Sequence, residues 1–529
     1  MVISRREFLI AAAAAYAMWP NTAYAGPRSC GAPRQAAPQR RKGGESLPPL
    51  PLPATPMRRT EKKRPPSPPA LVGKLEYGAI KWGIDERGQR YSYKDWTTDP
   101  ADMQNLLKRF SAALHQRYRE QQTAFDRFSY NPAEIPILYL TGHEGFELDD
   151  KSRGEMRRFY HDGGTLVGDA CCGSQEYLES LLKESEIIMP ERALRPIPQT
   201  DPIFHLAHDI ASVELLMGGL KDSKPTKRET IMPRLHGYRL GCRWAEIFTP
   251  HDLSCGWDGH VHGPGTRIDI DDARNLGENL LFYALGNHSL GTQWGTQFQY
   301  FQQGEPTRDQ INLVKIVHSG DYDPNPSAIG RLLKHVASET TAEVKFEDKK
   351  VDLQKNPRTL FEYPAAYITG HDDFRFSDGE IATLRAYLSS GGVLIGEACC
   401  GSPEFDNAFR REIESVTGKP FQAVPHAHPL YTTTGNVRQS AFTDYAVSKI
   451  SGLKKKGDTI LEGITAGNQG IGTGQLSVIY SRLGLGWDGL PRPFSIGYEP
   501  KSGLDIGKAA LTYSMMHACK PTERKIIPV

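Results

Sequence analysis

The sequence predicts an α/β protein built from two tandem three-layer α/β/α domains with mainly parallel sheets. Short apolar runs that suit buried strands alternate with stretches of helical periodicity, and this alternation is typical of parallel sheets covered by helices. The chain has 529 residues, which is too many for one ordinary domain. A segment of the first half also recurs in the second half, which indicates a duplication.

The duplication is visible without gaps. Residues 139–174 align with residues 367–402, and 16 of the 36 positions are identical. Chance would give roughly two identities at average residue frequencies. The similarity extends outward to about 76–286 and 311–517. We therefore predict a first domain over 71–300 and a second over 301–529.

The predicted elements follow the same order in both copies: a strand, a helix, a buried strand, an amphipathic helix, a strand, a short helix and a final helix. In the second copy they are expected at 313–317, 327–338, 365–368, 378–389, 393–395, just after Ser402, and at 503–516. In the first copy the strand candidates are 75–82 and 135–140, and helices are expected near 101–120 and 271–284.

Two motif loops follow predicted strands in each copy, a Thr-Gly-His loop and an Ala-Cys-Cys-Gly-Ser loop. In parallel sheets ligands bind at the carboxyl ends of the strands, so both loops should lie along one edge. The candidate binding residues in the two copies are His143, Asp169, Cys171, Cys172, His371, Glu397, Cys399 and Cys400.

These motifs carry a family resemblance. The run Tyr-(Leu/Ile)-Thr-Gly-His, then Phe, then Gly-Gly-x-Leu-x-Gly-(Asp/Glu)-Ala-Cys-Cys-Gly-Ser resembles the domain-of-unknown-function 4159 family in both copies, over most of 76–517. The resemblance implies a flavodoxin-like or glutamine-amidotransferase-like α/β domain in bacterial proteins that are often exported or membrane-linked. It implies no established activity.

Three chemistries are open for the loops. The cysteine loop is similar to the nucleophile elbow of class I glutamine amidotransferases, with Cys171 or Cys399 as nucleophile and His143 or His371 as partner. A carboxylate beside the thiol, Asp169 in the first copy, raises a thiol pKa and works against this. Alternatively, thiolates and imidazoles hold zinc or copper. In the third interpretation the small residues only form a tight turn, and the carboxylate caps the following helix.

Two further features distinguish the copies. A Gly-Trp-Asp-Gly run occurs in both copies and places Trp257 and Trp487 each beside an aspartate. The pair either binds a sugar by ring stacking and carboxylate hydrogen bonds, or the Trp closes the core under a glycine-rich turn. Cys242 and Cys255 occur only in the first copy, on either side of a predicted strand. They form either a disulfide or two buried thiols.

The N-terminus predicts export by the twin-arginine route. Arg5-Arg6 precede Phe-Leu, an apolar run follows, and an A-x-A site predicts cleavage between Ala25 and Gly26. Residues 1–25 are therefore a predicted signal peptide, and the mature chain is expected to be periplasmic or extracytoplasmic. Residues 26–70 contain 12 prolines and 10 Lys/Arg among 45 residues, which predicts a disordered basic linker.

Taken together, the sequence favours an exported, non-enzymatic binding or assembly module of the cell envelope. The alternatives are a cysteine-dependent hydrolase or amidotransferase-like enzyme, and a metal-binding protein. The expected partner is a cell-envelope protein or a small polar ligand, and no nucleic-acid motif is present. No apolar run after the signal is long enough to span a bilayer, and the sequence specifies no cofactor.

Overall fold

The structure is a computed structural model. The residues it describes are 68–84, 88–124, 131–217, 227–259, 265–300, 313–338, 349–468, 470–472 and 474–518. The predicted signal peptide, its cleavage site at Ala25 and Gly26, and nearly all of the predicted linker lie outside these residues.

Each half of the chain forms a seven-stranded sheet with the same strand order. Six strands of each sheet run in one direction and one runs against them. In spatial order the first sheet consists of Arg119–Ala124, Ala70–Glu76, Ile137–Gly142, Thr165–Ala170, Arg243–Thr249, His236–Leu240 and Arg195–Pro196. The second consists of Lys350–Asp352, Leu313–Val317, Ala365–Gly370, Val393–Ala398, Leu476–Ser481, Glu462–Thr465 and Gln422–Ala423. The predicted pair of mainly parallel α/β domains is confirmed.

Helices cover both faces of each sheet, and separate apolar clusters lie between each sheet face and its helices. In the first domain one face carries Asp102–Leu114, Ser254–Asp258 and Ile270–Tyr300, and the other carries Asp150–His161 and Gln175–Ile188. In the second domain one face carries Ala328–Ser338, Asp444–Lys449 and Pro500–His517, and the other carries Asp378–Ser389 and Pro403–Thr417. Among the described residues, no helix combines the length and apolarity needed to cross a membrane.

Side-chain caps explain where several helices begin. Asp149 accepts the backbone N–H of Ser152, and Ser377 forms a capping box with Glu380. The helix that starts after Ser377 therefore spans Asp378–Ser389, as its apolar spacing predicts.

The first strand lies earlier than predicted. It spans Ala70–Glu76 rather than 75–82. The interior residues of Ala70–Glu76 are buried in the main sheet, whereas Ile80–Ile84 pairs with Arg90–Lys94 in a separate hairpin. Ile80 and Trp82 of this hairpin are exposed. Two smaller sheets complete the fold, one of Thr266–Ile268, Val213–Met217 and Lys227–Ile231, the other of Gln439–Ala441 and Lys456–Asp458.

The two domains contact each other directly through charged and aromatic side chains. Arg195 pairs with Asp372, with 2.5 Å between Nη1 and Oδ2. Tyr283 stacks on Phe494 with 5.8 Å between ring centroids. The antiparallel hairpin of the first domain, which ends in the turn before Arg243, reaches toward the motif loops of the second. The copies therefore share an interface at one motif edge.

Candidate functional site

The two motif loops of each copy are tied together by a serine. The hydroxyl of Ser174 donates to the backbone carbonyl of His143, and the hydroxyl of Ser402 donates to that of His371. Each serine also caps the helix that follows it. The histidine loop is thus held by its main chain, which leaves the imidazole available for other contacts.

The cysteine pairs have an uncommon backbone. Cys172 has φ 55° and Cys400 has φ 56°, both in the left-handed region that non-glycine residues rarely adopt. The chain therefore reverses between the two cysteines of each pair, so that both thiols point toward one centre, with Sγ atoms 4.0 Å apart. Such strained positions cluster at functional sites.

Centre 1 is the group of Cys171, Cys172, Asp252 and Cys255. Their ligand atoms all lie within 4.8 Å of one another. The Sγ atoms of Cys171 and Cys255 are 3.9 Å apart, and the Cys171 thiol donates to Oδ2 of Asp99 at 3.2 Å. Burial, followed by the charge of Asp169, raises the pKa of Asp252 to about 7. Centre 1 is therefore a group of thiols and an acid in which all members but the half-buried Cys172 are buried.

Centre 2 is the group of Cys242, His371, Cys399 and Cys400, whose ligand atoms also lie within 4.8 Å of one another. It spans the domain interface, because Cys242 comes from the hairpin of the first domain and the other three from the second. The Sγ atoms of Cys242 and Cys399 are 3.3 Å apart. Cys399 and His371 are buried, and the other two are half-buried.

Each motif histidine is oriented by an aspartate at the same place in the repeat. Nδ1 of His371 is 2.7 Å from Asp321, and Nδ1 of His143 is 3.4 Å from Asp95. Burial lowers the pKa of His371, but hydrogen bonds to Asp321 and Cys242 outweigh it and raise that pKa to about 9. A carboxylate on one ring nitrogen is the usual support of a metal-ligating histidine, whose other nitrogen is then directed to the ion.

A cavity of about 80 Å³ lies beside centre 2 and is formed by both domains. His371, Cys242 and Cys400 line it, together with Arg239 and Arg492. The cavity therefore borders the three-thiol group directly.

The acids of the motif loops do not join the thiols, contrary to the sequence expectation. Asp169 accepts the hydroxyl of Tyr139 and the backbone N–H groups of Leu253 and Ser254. Glu397 likewise accepts from Tyr367 and from the backbone of Leu485. Asp169 therefore caps a later helix, Ser254–Asp258, and not the helix that follows its own loop.

The candidate tryptophans are core residues. Trp257 is 1 % exposed and donates through Nε1 to the carbonyl of Ala273 at 2.8 Å. Trp487 is fully buried and stacks on Tyr367 with 4.5 Å between ring centroids. Neither ring is available to a sugar, so the sugar-binding expectation for these two residues is wrong in this structure.

Asp252 and two cysteines, Cys242 and Cys255, are site residues that the sequence did not assign. The two cysteines belong to different centres, and none of the six described cysteines forms a disulfide, so the disulfide alternative is not realised. The available signal was their restriction to the first copy, which indicated a role outside the duplicated core but not which thiols they meet.

The first cysteine of each pair is poorly placed as a nucleophile. Hydrogen bonds with Cys172 and Cys255 raise the pKa of Cys171 far above its usual range, and burial does the same for Cys399. A thiol held in its neutral form is a weak nucleophile. Both thiols are also buried, so burial and the raised pKa together do not favour the amidotransferase-like interpretation of Cys171 and Cys399.

A comparison with protein families matches the same two segments. The model of a domain of unknown function, DUF4159, matches residues 88–285 and 312–488, which together make up more than half of the chain. The chain belongs to the DUF4159 family. This DUF4159 protein thus carries two tandem copies of the domain, each with one thiol centre at the motif edge. No curated protein matches the chain.

Proposed function

We propose that this DUF4159 protein binds a soft transition-metal ion, zinc in the first instance, at centre 2. One observation carries the proposal: three thiols and one imidazole converge within 4.8 Å across the interface of the two domains. Three cysteines and one histidine form a closed tetrahedral zinc set of the structural type. The ion would therefore act mainly by joining the domains.

Several features support this assignment over a chance grouping of thiols. His371 is supported on Nδ1 by Asp321, which leaves Nε2 for an ion. Asn325 brackets the thiols, donating through Nδ2 to Sγ of Cys399 and accepting from Cys242, each at 3.5 Å. These hydrogen bonds thus orient the sulfur atoms of Cys242 and Cys399, which are not joined by a disulfide.

The comparison of the copies adds a second support. The position that matches Cys255 of the first copy is Leu485 in the second, since the Gly-Trp-Asp-Gly runs align. The second copy therefore lacks the third thiol within its own domain, and Cys242 of the first domain supplies one. Both centres contain three thiols although the third comes from a different element.

Metal content tests the proposal directly. The mature chain is purified without chelator and under reducing conditions, and zinc and copper are measured by elemental analysis. We expect Cys242→Ala to lose one bound ion relative to the wild type, with Cys519→Ala as the cysteine control from outside the described residues. Unchanged metal content in Cys242→Ala would contradict the proposal, and copper in place of zinc would correct the ion but keep the site.

We also propose that the protein works outside the cytoplasm, as part of the cell envelope. The paired arginines, the apolar run and the A-x-A site before Gly26 support this. Replacing Arg5 and Arg6 together by lysine should retain the protein in the cytoplasm with its N-terminus uncleaved. Cell fractionation followed by N-terminal sequencing reports both, and unaltered export of that variant would refute the twin-arginine assignment.

A further inference from the structure

We infer that centre 1 is a second, independent metal site, in which three thiolates and one carboxylate bind zinc within the first domain. The donors are Cys171, Cys172, Cys255 and Asp252. Every donor comes from the first domain, so this site is distinct from the proposed interdomain site.

The decisive observation is the state of Asp252. The residue is 0 % exposed, and its Oδ1 accepts from the hydroxyl of Ser254 and from the backbone N–H of Cys255, each at 3.0 Å. Its other oxygen, Oδ2, has no hydrogen-bond partner among the described residues. A buried carboxylate oxygen without a donor is costly, and a cation at this point would offset that cost.

The three thiols lie close to this carboxylate and to one another. Sγ of Cys171 lies 3.9 Å from that of Cys255 and 4.0 Å from that of Cys172. All three, with the carboxylate, lie within 4.8 Å of one another. Tetrahedral zinc–sulfur bonds of about 2.3 Å place sulfur atoms just under 4 Å apart, so these spacings need little adjustment.

Contacts within the protein hold these donors in place. Cys255 and Asp252 lie at the start of the short helix Ser254–Asp258, which Asp169 holds through two backbone N–H groups at 3.0 and 3.1 Å. Cys172 is held by the left-handed turn at φ 55°. The motif acid therefore has a positioning role, since it holds the segment that presents two of the four donors.

The second copy provides an internal contrast. The positions that match Asp252 and Cys255 are Arg482 and Leu485, so the donor pair is absent there. Centre 2 instead uses Cys242 and His371. The two sites thus have different fourth ligands, an oxygen in centre 1 and a nitrogen in centre 2, and substitutions in one should leave the other intact.

Zinc stoichiometry of the full mature chain tests the inference. The wild type should hold two ions, Cys255→Ala one, Cys242→Ala one, and the double variant none, with Cys519→Ala as control. Retention of two ions by Cys255→Ala would overturn centre 1 while leaving centre 2 in place. Loss of no ion in Cys242→Ala would instead overturn centre 2, so the two failures are distinguishable.

A second variant guards against a folding defect in Cys255→Ala. Asp252→Asn keeps the shape of the side chain and both contacts of its Oδ1, but it replaces the anionic donor by an amide. We expect it to lose the zinc of centre 1 during exchange against a chelator, while far-UV circular dichroism stays at the wild-type value. Retention of both ions under the same chelator would overturn the carboxylate's part in the site.

Discussion

The two tryptophans of the repeat allow a matched test of the core. Trp487 is fully buried, stacks on Tyr367, and packs so tightly that a Cβ on Gly507 would lie 2.4 Å from its Nε1. Truncating it to alanine should cost about 3–5 kcal/mol in the free energy of unfolding, the range for buried Trp or Phe. Trp257→Ala should cost a similar amount.

Phenylalanine separates the two positions. Nε1 of Trp257 donates to Ala273, whereas Nε1 of Trp487 has no partner among the described residues. Trp257→Phe loses a hydrogen bond worth about 1 kcal/mol. Trp487→Phe loses no hydrogen bond, because it removes a buried N–H group that has no acceptor among the described residues. We therefore expect Trp257→Phe to be the more destabilising by about 1 kcal/mol in urea unfolding followed by far-UV circular dichroism. An equal or reversed order of the two phenylalanine variants, or a Trp487→Ala variant as stable as the wild type, would contradict these assignments.

The Cys242–Cys399 and Lys315–Asp323 contacts can each be tested. In metal-free protein, oxidised glutathione should link Cys242 to Cys399 by thiol–disulfide exchange and release two molecules of reduced glutathione. Peptide mapping detects the link, and bound zinc should prevent it. A link that forms equally with zinc bound would contradict centre 2. Asp323→Asn should cost about 3–5 kcal/mol in the free energy of unfolding, because it leaves the buried ammonium of Lys315 without its carboxylate partner. Burial raises the pKa of Asp323, but Lys315 and Lys350 outweigh burial and hold that pKa below its usual range. The stabilisation by the Asp323 carboxylate should therefore be present above about pH 4 and be lost as pH falls through the lowered pKa. A destabilisation by Asp323→Asn that is the same at acid and neutral pH would contradict this.

Much of the fold could be predicted because periodicity and duplication agree. The helix Asp378–Ser389 has apolar residues on one side and a capping box at its start, so its bounds follow from sequence. The strand Ala70–Glu76 was displaced in the prediction, because the apolar residues of the exposed hairpin Ile80–Ile84 also suit a buried strand. Local pattern does not tell a buried strand from a hairpin whose apolar side chains face solvent.

Only part of the site could be predicted from the sequence. Placing the motif loops at one edge follows from strand–loop order, and the paired cysteines do lie there. The completing ligands do not follow, because Cys242 is 157 residues from Cys399 and belongs to the other domain. The motif acids were misassigned for a related reason: sequence shows that Asp169 follows a strand, but not that the backbone of Ser254 lies within reach to bind it.

X-ray absorption at the zinc edge is the most direct test that these centres are metal sites. Wild-type protein loaded with two zinc ions should show a first shell dominated by sulfur, three atoms per ion at about 2.3 Å, with one lighter atom at about 2.0–2.1 Å. A first shell of nitrogen and oxygen atoms alone would contradict the account, because it would place the zinc away from both three-thiol groups.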